Sequence, residues 1–371
     1  MTTGEKLSSF VTRHPHVAKF TAKLSMHHGL RSVRRMPPQH KLPPRPRMKL
    51  LLAVALSLVT TTPIFAEEKP ATKPAEPPQP RAAEGVELNA NLPYAGNDNP
   101  RQMVVLYLPK NRTTDKPLPV VVSIHGGGWS GGSRAGGGMA AGYAASGNYA
   151  AVSVGHRLSA EVKWPAQIHD CKTAIRWIRE HAKNYNLDPD RIGVTGTSAG
   201  GHLVSLLGLT ESVKDLEGSI GELTSLRSKV TCVANYCGPT DMAAPLMQGD
   251  AVMNDDPTVA GLLGGSLADK AAEAKAASSL TYVHASAPPF LTAHGTKDMR
   301  VNFTNATKLH EALTKAGNFS ILLAMTDAGH GFGSPELNKR VQQFFDMHLH
   351  GIKSEISSEP IPLPAPAPAK K

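Results

Sequence analysis

Residues 191–200 read Arg-Ile-Gly-Val-Thr-Gly-Thr-Ser-Ala-Gly, and a helix-like stretch from His202 to Leu209 follows. The apolar run around Ile192 is strand-like, so the chain must turn abruptly from strand to helix at Ser198. Such a turn needs small residues on both sides, which Gly196 and Gly200 supply. It lifts the Ser198 hydroxyl clear of the sheet, at the positive end of the next helix. Few architectures accommodate a strand–turn–helix of this kind.

The rest of the chain agrees with a sheet flanked by helices. Apolar runs at Met103–Leu108, Val120–Ile124, Ala150–Val154, Arg191–Thr195, Val230–Tyr236, Pro289–Ala293 and Phe319–Met325 read as strands. The Val120 run is nearly all apolar, as in strands buried on both faces. Between these runs, Pro165–Tyr185, Asn305–Ala316 and Glu336–Leu349 carry helical spacing, with Ile168, Ala174, Ile175 and Ile178 on one face of the first. Leu187 to Asp190 reads as a turn into the Ile192 strand. Alternation of this kind predicts a mostly parallel central sheet with helices on both faces, and ligands at the carboxyl ends of its strands. The segment from Asp241 to Tyr282, with Met242, Met247, Met253 and an Ala-rich stretch, breaks the alternation. It reads either as a small cap over the pocket or as an ordinary surface insertion.

The ends of the chain differ from this body. Met48-Lys49 opens a stretch, Leu50–Val59, that is apolar apart from Ser57, and Ala66 precedes Glu67-Glu68-Lys69. This is the form of a secretory signal peptide over 48–66, too short for a comfortable membrane span. Residues 1–47 are basic and without apolar period. They read as an upstream extension with Met48 as initiator, as a long basic leader, or as a nucleic-acid-binding arm. Of 40 Lys+Arg and 30 Asp+Glu, residues 1–66 hold eleven and one, so the remainder carries 29 of each. The formal net charge of +10 therefore belongs to the leader, and the body is neutral, which removes the argument for a nucleic-acid partner. Residues 67–84 form a Pro-rich linker and 353–371 a Pro/Ala-rich tail, both expected to be disordered. Residues 85–352 remain for one catalytic domain, secreted or periplasmic and without stable membrane insertion once the leader is cleaved.

A serine hydroxyl is a weak nucleophile and needs a base and an oxyanion site. His125-Gly126-Gly127-Gly128-Trp129 ends the Val120 strand. Its glycines let backbone N–H groups approach a developing oxyanion. Gly126, Gly127 and Ala199 are the candidate donors. A phosphate loop is excluded because no Gly-Lys-Ser/Thr follows. The base should be a late histidine, and His330 in Ala328-Gly329-His330-Gly331-Phe332 follows the last strand. His348 and His350 read as surface residues, His202 as a packed helix residue, and His294 as structural. The acid that orients the imidazole is Asp298, just past the Pro289 strand, with Asp241 as rival and Asp327 behind it. The order Ser198, Asp298, His330 is that of α/β-hydrolases. The three cysteines, Cys171, Cys232 and Cys237, match no zinc spacing. A strand from Cys232 to Cys237 spans roughly 16 Å, beyond the ~7 Å of a disulfide, so free buried thiols are expected. No metal or cofactor is called for.

These stretches resemble the microbial esterase/lipase branch of the α/β-hydrolases, close to hormone-sensitive-lipase-like esterases and bacterial feruloyl and acetyl-xylan esterases. The likeness covers residues 85–350: HGGGW at 125–129, PAQIHDCKTAIRWIR at 165–179, DPDRIGVTGTSAGGH at 188–202, Gly238–Asp241, Pro288–Asp298 and Gly329–Phe332. The chain departs from many relatives at Gly155-His156-Arg157-Leu158, at Thr197 and at the glycines 136–138. The resemblance implies a serine esterase with Ser198 as nucleophile, Asp298 as acid and His330 as base. It also implies a small-molecule or carbohydrate-linked ester as substrate. A serine peptidase of the same fold and a non-catalytic binding protein are the rivals. The first lacks a preceding β-rich region here, and the second usually loses a member of the triad.

Overall fold

Strands β2 (Met103–Pro109), β3 (Leu118–Ile124) and β4 (Ala150–Val154) are buried along almost their whole length, so each must be covered on two sides. The computed structural model shows how. It describes residues 79–136, 138–211, 213–246 and 256–363, all within the compact unit Ala71–Lys371. The leader, the 48–66 stretch, most of the 67–84 linker and the end of the tail lie outside the described residues.

Nine strands form one sheet in the order β1-β2-β4-β3-β5-β6-β7-β8-β9. The further strands are β1 (Val86–Pro93), β5 (Leu187–Thr197), β6 (Cys232–Tyr236), β7 (Phe290–Gly295), β8 (Ser320–Thr326) and β9 (Ile361–Pro362). β1 and β2 run antiparallel to their neighbours, and every pairing from β4 to β9 is parallel.

Alternate residues of each strand face opposite layers. Val120, Val122 and Ile124 join the core under α2 (Ala166–Glu180), α4 (Ala199–Leu209) and α8 (Thr304–Lys315). Val121, Leu291 and Leu323 join the core under α9 (Pro335–Phe345). α1 (Gly138–Ala145) closes the same side over β2 and β4 through Ala140, Ala141 and Ala144. α4 is buried on every residue, which suits a helix apolar all round its circumference, and the short α5 (Lys214–Glu217) follows it.

Several expectations need correction. The helix expected over 165–185 breaks at His181 into α2 and α3 (Ala182–Tyr185). At His181 the backbone leaves helical values, with φ −93° and ψ 5°, and its ring Nδ1 donates to the Trp177 carbonyl at 2.9 Å. The Leu187–Asp190 turn lies inside β5: Leu187 pairs with Leu118, and the ladder resumes at Val120↔Ile192 after a bulge. β1 lies outside the expected strands, although Val86, Leu88, Ala90 and Leu92 alternate with Glu87, Asn89 and Asn91 and carried the signal for it. The tail expected from 353 carries a strand: Ile361 is buried and pairs with Met325.

The 241–282 segment contains α6 (Pro257–Leu263) and α7 (Ala271–Ala277). Asp256 caps α6, its carboxylate accepting from the Thr258 and Val259 amides. Met242 is buried, whereas Met247 and Met253 lie outside the described residues. Cys171, Cys232 and Cys237 are free and buried, as expected.

Candidate active site

The turn from β5 into α4 holds Ser198 at φ 57°, ψ −120°, a region that L-residues rarely adopt. Its amide donates to the Tyr236 carbonyl at 2.8 Å and its carbonyl accepts from the His202 amide at 3.0 Å, so both flanks are fixed. A Cβ on Gly196 would lie 2.5 Å from the Gly200 carbonyl, which is why small residues bracket the serine. Trp129, Cys237 and Asp327, on three other loops at this end of the sheet, also have positive φ.

The structure brings Ser198, His330 and Asp298 together. His330 Nδ1–H donates to Asp298 Oδ2 at 2.8 Å, which leaves Nε2 to accept from the Ser198 hydroxyl at 2.9 Å. His330 is 28 % exposed and Asp298 fully buried, so the pair has an open and a closed end. Burial works against the Asp298 charge. Hydrogen bonds from His294, His330 and the Val301 and Arg300 amides outweigh it and hold the carboxyl well below the usual carboxylate range. The rival acids are elsewhere: Asp241 pairs with Lys308 at 3.2 Å and Asp327 with Lys297 at 2.8 Å.

The glycine loop lies against the serine. A Cβ on Gly126 would sit 2.7 Å from the Thr197 carbonyl and 3.5 Å from Ser198 Cβ. Gly127 has φ +114°, and its carbonyl accepts from the Gly131 amide at 2.9 Å, which curls the loop. Among the described residues, the amides of Gly126, Gly127 and Ala199 donate to no protein acceptor. Gly126, Gly127, Gly128, Trp129 and Ser198 line one cleft of about 400 Å³ with Leu246, Asp256 and Thr258 of the 241–282 segment. That segment therefore contributes to the pocket wall.

Four features went beyond the sequence reading. His294, taken as structural, has Nε2 2.8 Å from the Val301 carbonyl, to which it donates, and 3.2 Å from Asp298 Oδ2. It braces the loop that carries the acid. Its four-residue spacing from Asp298 at a strand end was the only signal. His202 accepts at Nδ1 from the Trp129 indole at 3.2 Å and donates from Nε2 to the Ala277 carbonyl at 2.7 Å. Burial lowers its pKa to about 4, so it is neutral. His125 stacks on His156 with centroids 4.3 Å apart, and burial lowers their pKa values to about 3 and about 4. His348 and His350, expected on the surface, are half-buried: His348 packs edge-on to Phe319 and Phe344, and His350 to Tyr149.

Cys237 Sγ also reaches this centre. Ligand atoms of Cys237, Asp298 and His330 all lie within 4.8 Å of one another. The thiol donates to the His330 carbonyl at 3.4 Å, and burial, with the Asp298 charge, pushes its pKa up to about 12. A protonated sulfur and a hydrogen-bonded Asp–His pair form a poor metal donor set.

The parallel sheet, the strained serine turn and the cleft at the strands' carboxyl ends define an α/β-hydrolase of the esterase family. The BD-FAE family model matches residues 104–313, more than half of the chain, and the chain belongs to that family. The match includes Ser198 and Asp298 and stops short of His330. The esterase LipQ of Mycobacterium tuberculosis is 30 % identical over 246 residues, which is 66 % of this chain and 57 % of LipQ. The chain thus spans somewhat under two thirds of that relative's length. A truncated carbohydrate esterase from gut microbiota superimposes with TM-score 0.65 at 30 % identity, over 72 % of this chain and 99 % of that one. A bifunctional GH43-CE protein of Bacteroides eggerthii does so with TM-score 0.66 at 32 % identity, over 70 % of this chain and 38 % of that one.

Proposed function

We propose that this chain is a serine carboxylic-ester hydrolase that works through an acyl-enzyme. The observation that carries the reading is the unbroken relay from Ser198 Oγ to His330 Nε2, and from His330 Nδ1 to the buried Asp298 carboxylate. In it, His330 takes the Ser198 proton as the oxygen attacks the ester carbonyl. Asp298 holds the ring in the tautomer that makes this possible and stabilises the imidazolium. The free amides of Gly126, Gly127 and Ala199 receive the oxyanion. His330 returns the proton to the leaving alcohol, and water, activated by the same ring, releases the acid.

The substrate we infer is a short acyl or aromatic ester, carried on a polysaccharide. The likeness to a carbohydrate esterase and to a GH43-CE protein supports it. So does the exported location that the 48–66 stretch implies. Among the described residues, no helix is long and apolar enough to cross a membrane.

The test is hydrolysis of p-nitrophenyl acetate, butyrate and octanoate by the protein and by Ser198→Ala. Activity that falls with acyl length and drops by several orders of magnitude in the variant is expected. Equal background rates in both proteins would overturn the assignment.

A further inference from the structure

A second cleft of about 400 Å³ opens on the far side of His330. It shares Thr197 and His330 with the serine cleft but touches neither Ser198 nor the Gly126–Gly128 loop. Its lining is apolar and aromatic: Met139 and Tyr143 of α1, Tyr236 at the end of β6, and Phe332 two residues past His330. Phe332 stacks on Tyr236 with centroids 6.3 Å apart, and Tyr143 stands edge-on to Tyr149 and Phe345. Met139 is 39 % exposed, a large apolar side chain left facing solvent. Asn338 and Gln342 of α9 add two amides.

We propose that this cleft seats the leaving alcohol of the ester, and that Phe332, Tyr143 and Met139 select alcohols bearing a ring with a flat apolar face. The assignment rests on the esterase reading above. The scissile carbonyl must lie where Ser198 and the glycine amides converge, so the acyl chain continues into the cleft lined by Trp129, Leu246 and Val301. The oxygen that departs must instead lie within reach of His330, which protonates it. The aromatic cleft is bordered by His330, the residue that must reach that oxygen, and lies away from the oxyanion loop. The lining there offers ring faces and a thioether, which hold a ring by area and stacking, while the amides meet hydroxyl groups at its edge. A methyl or ethyl alcohol would leave most of this volume unfilled.

The consequence is kinetic. Contacts in the aromatic cleft act only until the alcohol leaves, so they affect acylation and not the hydrolysis of the acyl-enzyme. The experiment compares Phe332→Ala and Met139→Ala, changes on two different elements, with the unaltered protein. One ester series has a fixed butyryl group and ethyl, cyclohexyl or naphthyl alcohols. The other has fixed ethanol and acetyl, butyryl or benzoyl groups. The ratio of variant to unaltered kcat/KM for each ester cancels its intrinsic reactivity. Expected is roughly a tenfold loss for the cyclohexyl and naphthyl esters, about what an aromatic contact is worth. The ethyl esters should be near unity whatever the acyl group, and the deacylation rate of the butyryl-enzyme should be unchanged. A loss that follows the acyl group, or one uniform across both series, would overturn the assignment. Failure of the unaltered protein to hydrolyse any ester would remove the esterase reading itself, and this assignment with it.

Discussion

The buried imidazoles around the glycine loop make the fold sensitive to acid well above the carboxylate range. In the folded chain His125, His156 and His202 are held neutral, with pKa values of about 3, about 4 and about 4, in each case chiefly by burial. In the unfolded chain each titrates near the ordinary value of about 6.5. Above that pH both states are neutral and the three groups contribute nothing to the pH dependence. Below it the unfolded chain binds protons that the folded chain refuses, so stability falls as pH drops from about 6.5 towards about 4. Burial lowers His310, His348 and His350 too, with the same sign. Between pH 6.5 and pH 5 His125, His156 and His202 each cost about 1.6 kcal/mol, together about 5 kcal/mol, comparable with the whole stability of many domains. The depressed Asp298 works the same way at lower pH, since its stabilisation is lost only below the ordinary carboxylate range. The assay is urea unfolding at pH 7.5, 6.5, 5.5 and 5.0, with proton uptake on unfolding measured at pH 5. Uptake of about three protons or more is expected. His202→Gln should remove about one of them whatever it does to overall stability. A free energy flat to within about 1 kcal/mol over this range would refute the reasoning.

Other outcomes follow from the same contacts. Ser198→Gly and Ser198→Ala both delete the hydroxyl, but only glycine tolerates φ 57°, ψ −120° without strain. By calorimetry the glycine variant should melt a few degrees higher than the alanine one, and an equal or lower midpoint would show that the turn is unstrained. Asp298→Asn should lower kcat by roughly four orders of magnitude with little change in the fold, because it leaves His330 without the carboxylate that sets its tautomer. Glu217 pairs with Lys172 at 2.5 Å, with Arg176, and with the Ser228 hydroxyl at 2.9 Å. Both cations are buried, so Glu217→Ala should cost about 3 kcal/mol in denaturant unfolding without altering ester specificity.

What was legible from sequence was what local chemistry dictates. The Val120 and Ala150 runs could only be buried strands, and Gly196 and Gly200 could only bracket a tight turn. Ser198, Asp298 and His330 stood out because each follows a strand at the same end of a parallel sheet. The illegible parts depend on contacts between segments far apart in the chain. β9 exists because Ile361 finds the open edge of β8, which nothing in the Pro/Ala-rich tail announces. The break at His181 falls where no Gly or Pro announces it. The second imidazole on Asp298 and the stacking of His125 on His156 join residues whose spacing is unremarkable or long. The aromatic cleft arises only when α1, β6, α9 and the loop after β8 converge.

The His202 imidazole ties three pieces of chain at one point: the indole beyond the glycine loop, the helix that begins at Ser198, and the carbonyl at the end of α7. The wall of the cleft and the catalytic centre are therefore not interchangeable modules. A 241–282 segment transplanted from a relative would have to place a carbonyl where Ala277 offers one. Without it, the buried His202 Nε2–H loses its acceptor. The segment is thus held at one acceptor atom, while Asp256 and Thr258, by which it lines the cleft, lie about twenty positions earlier in the chain.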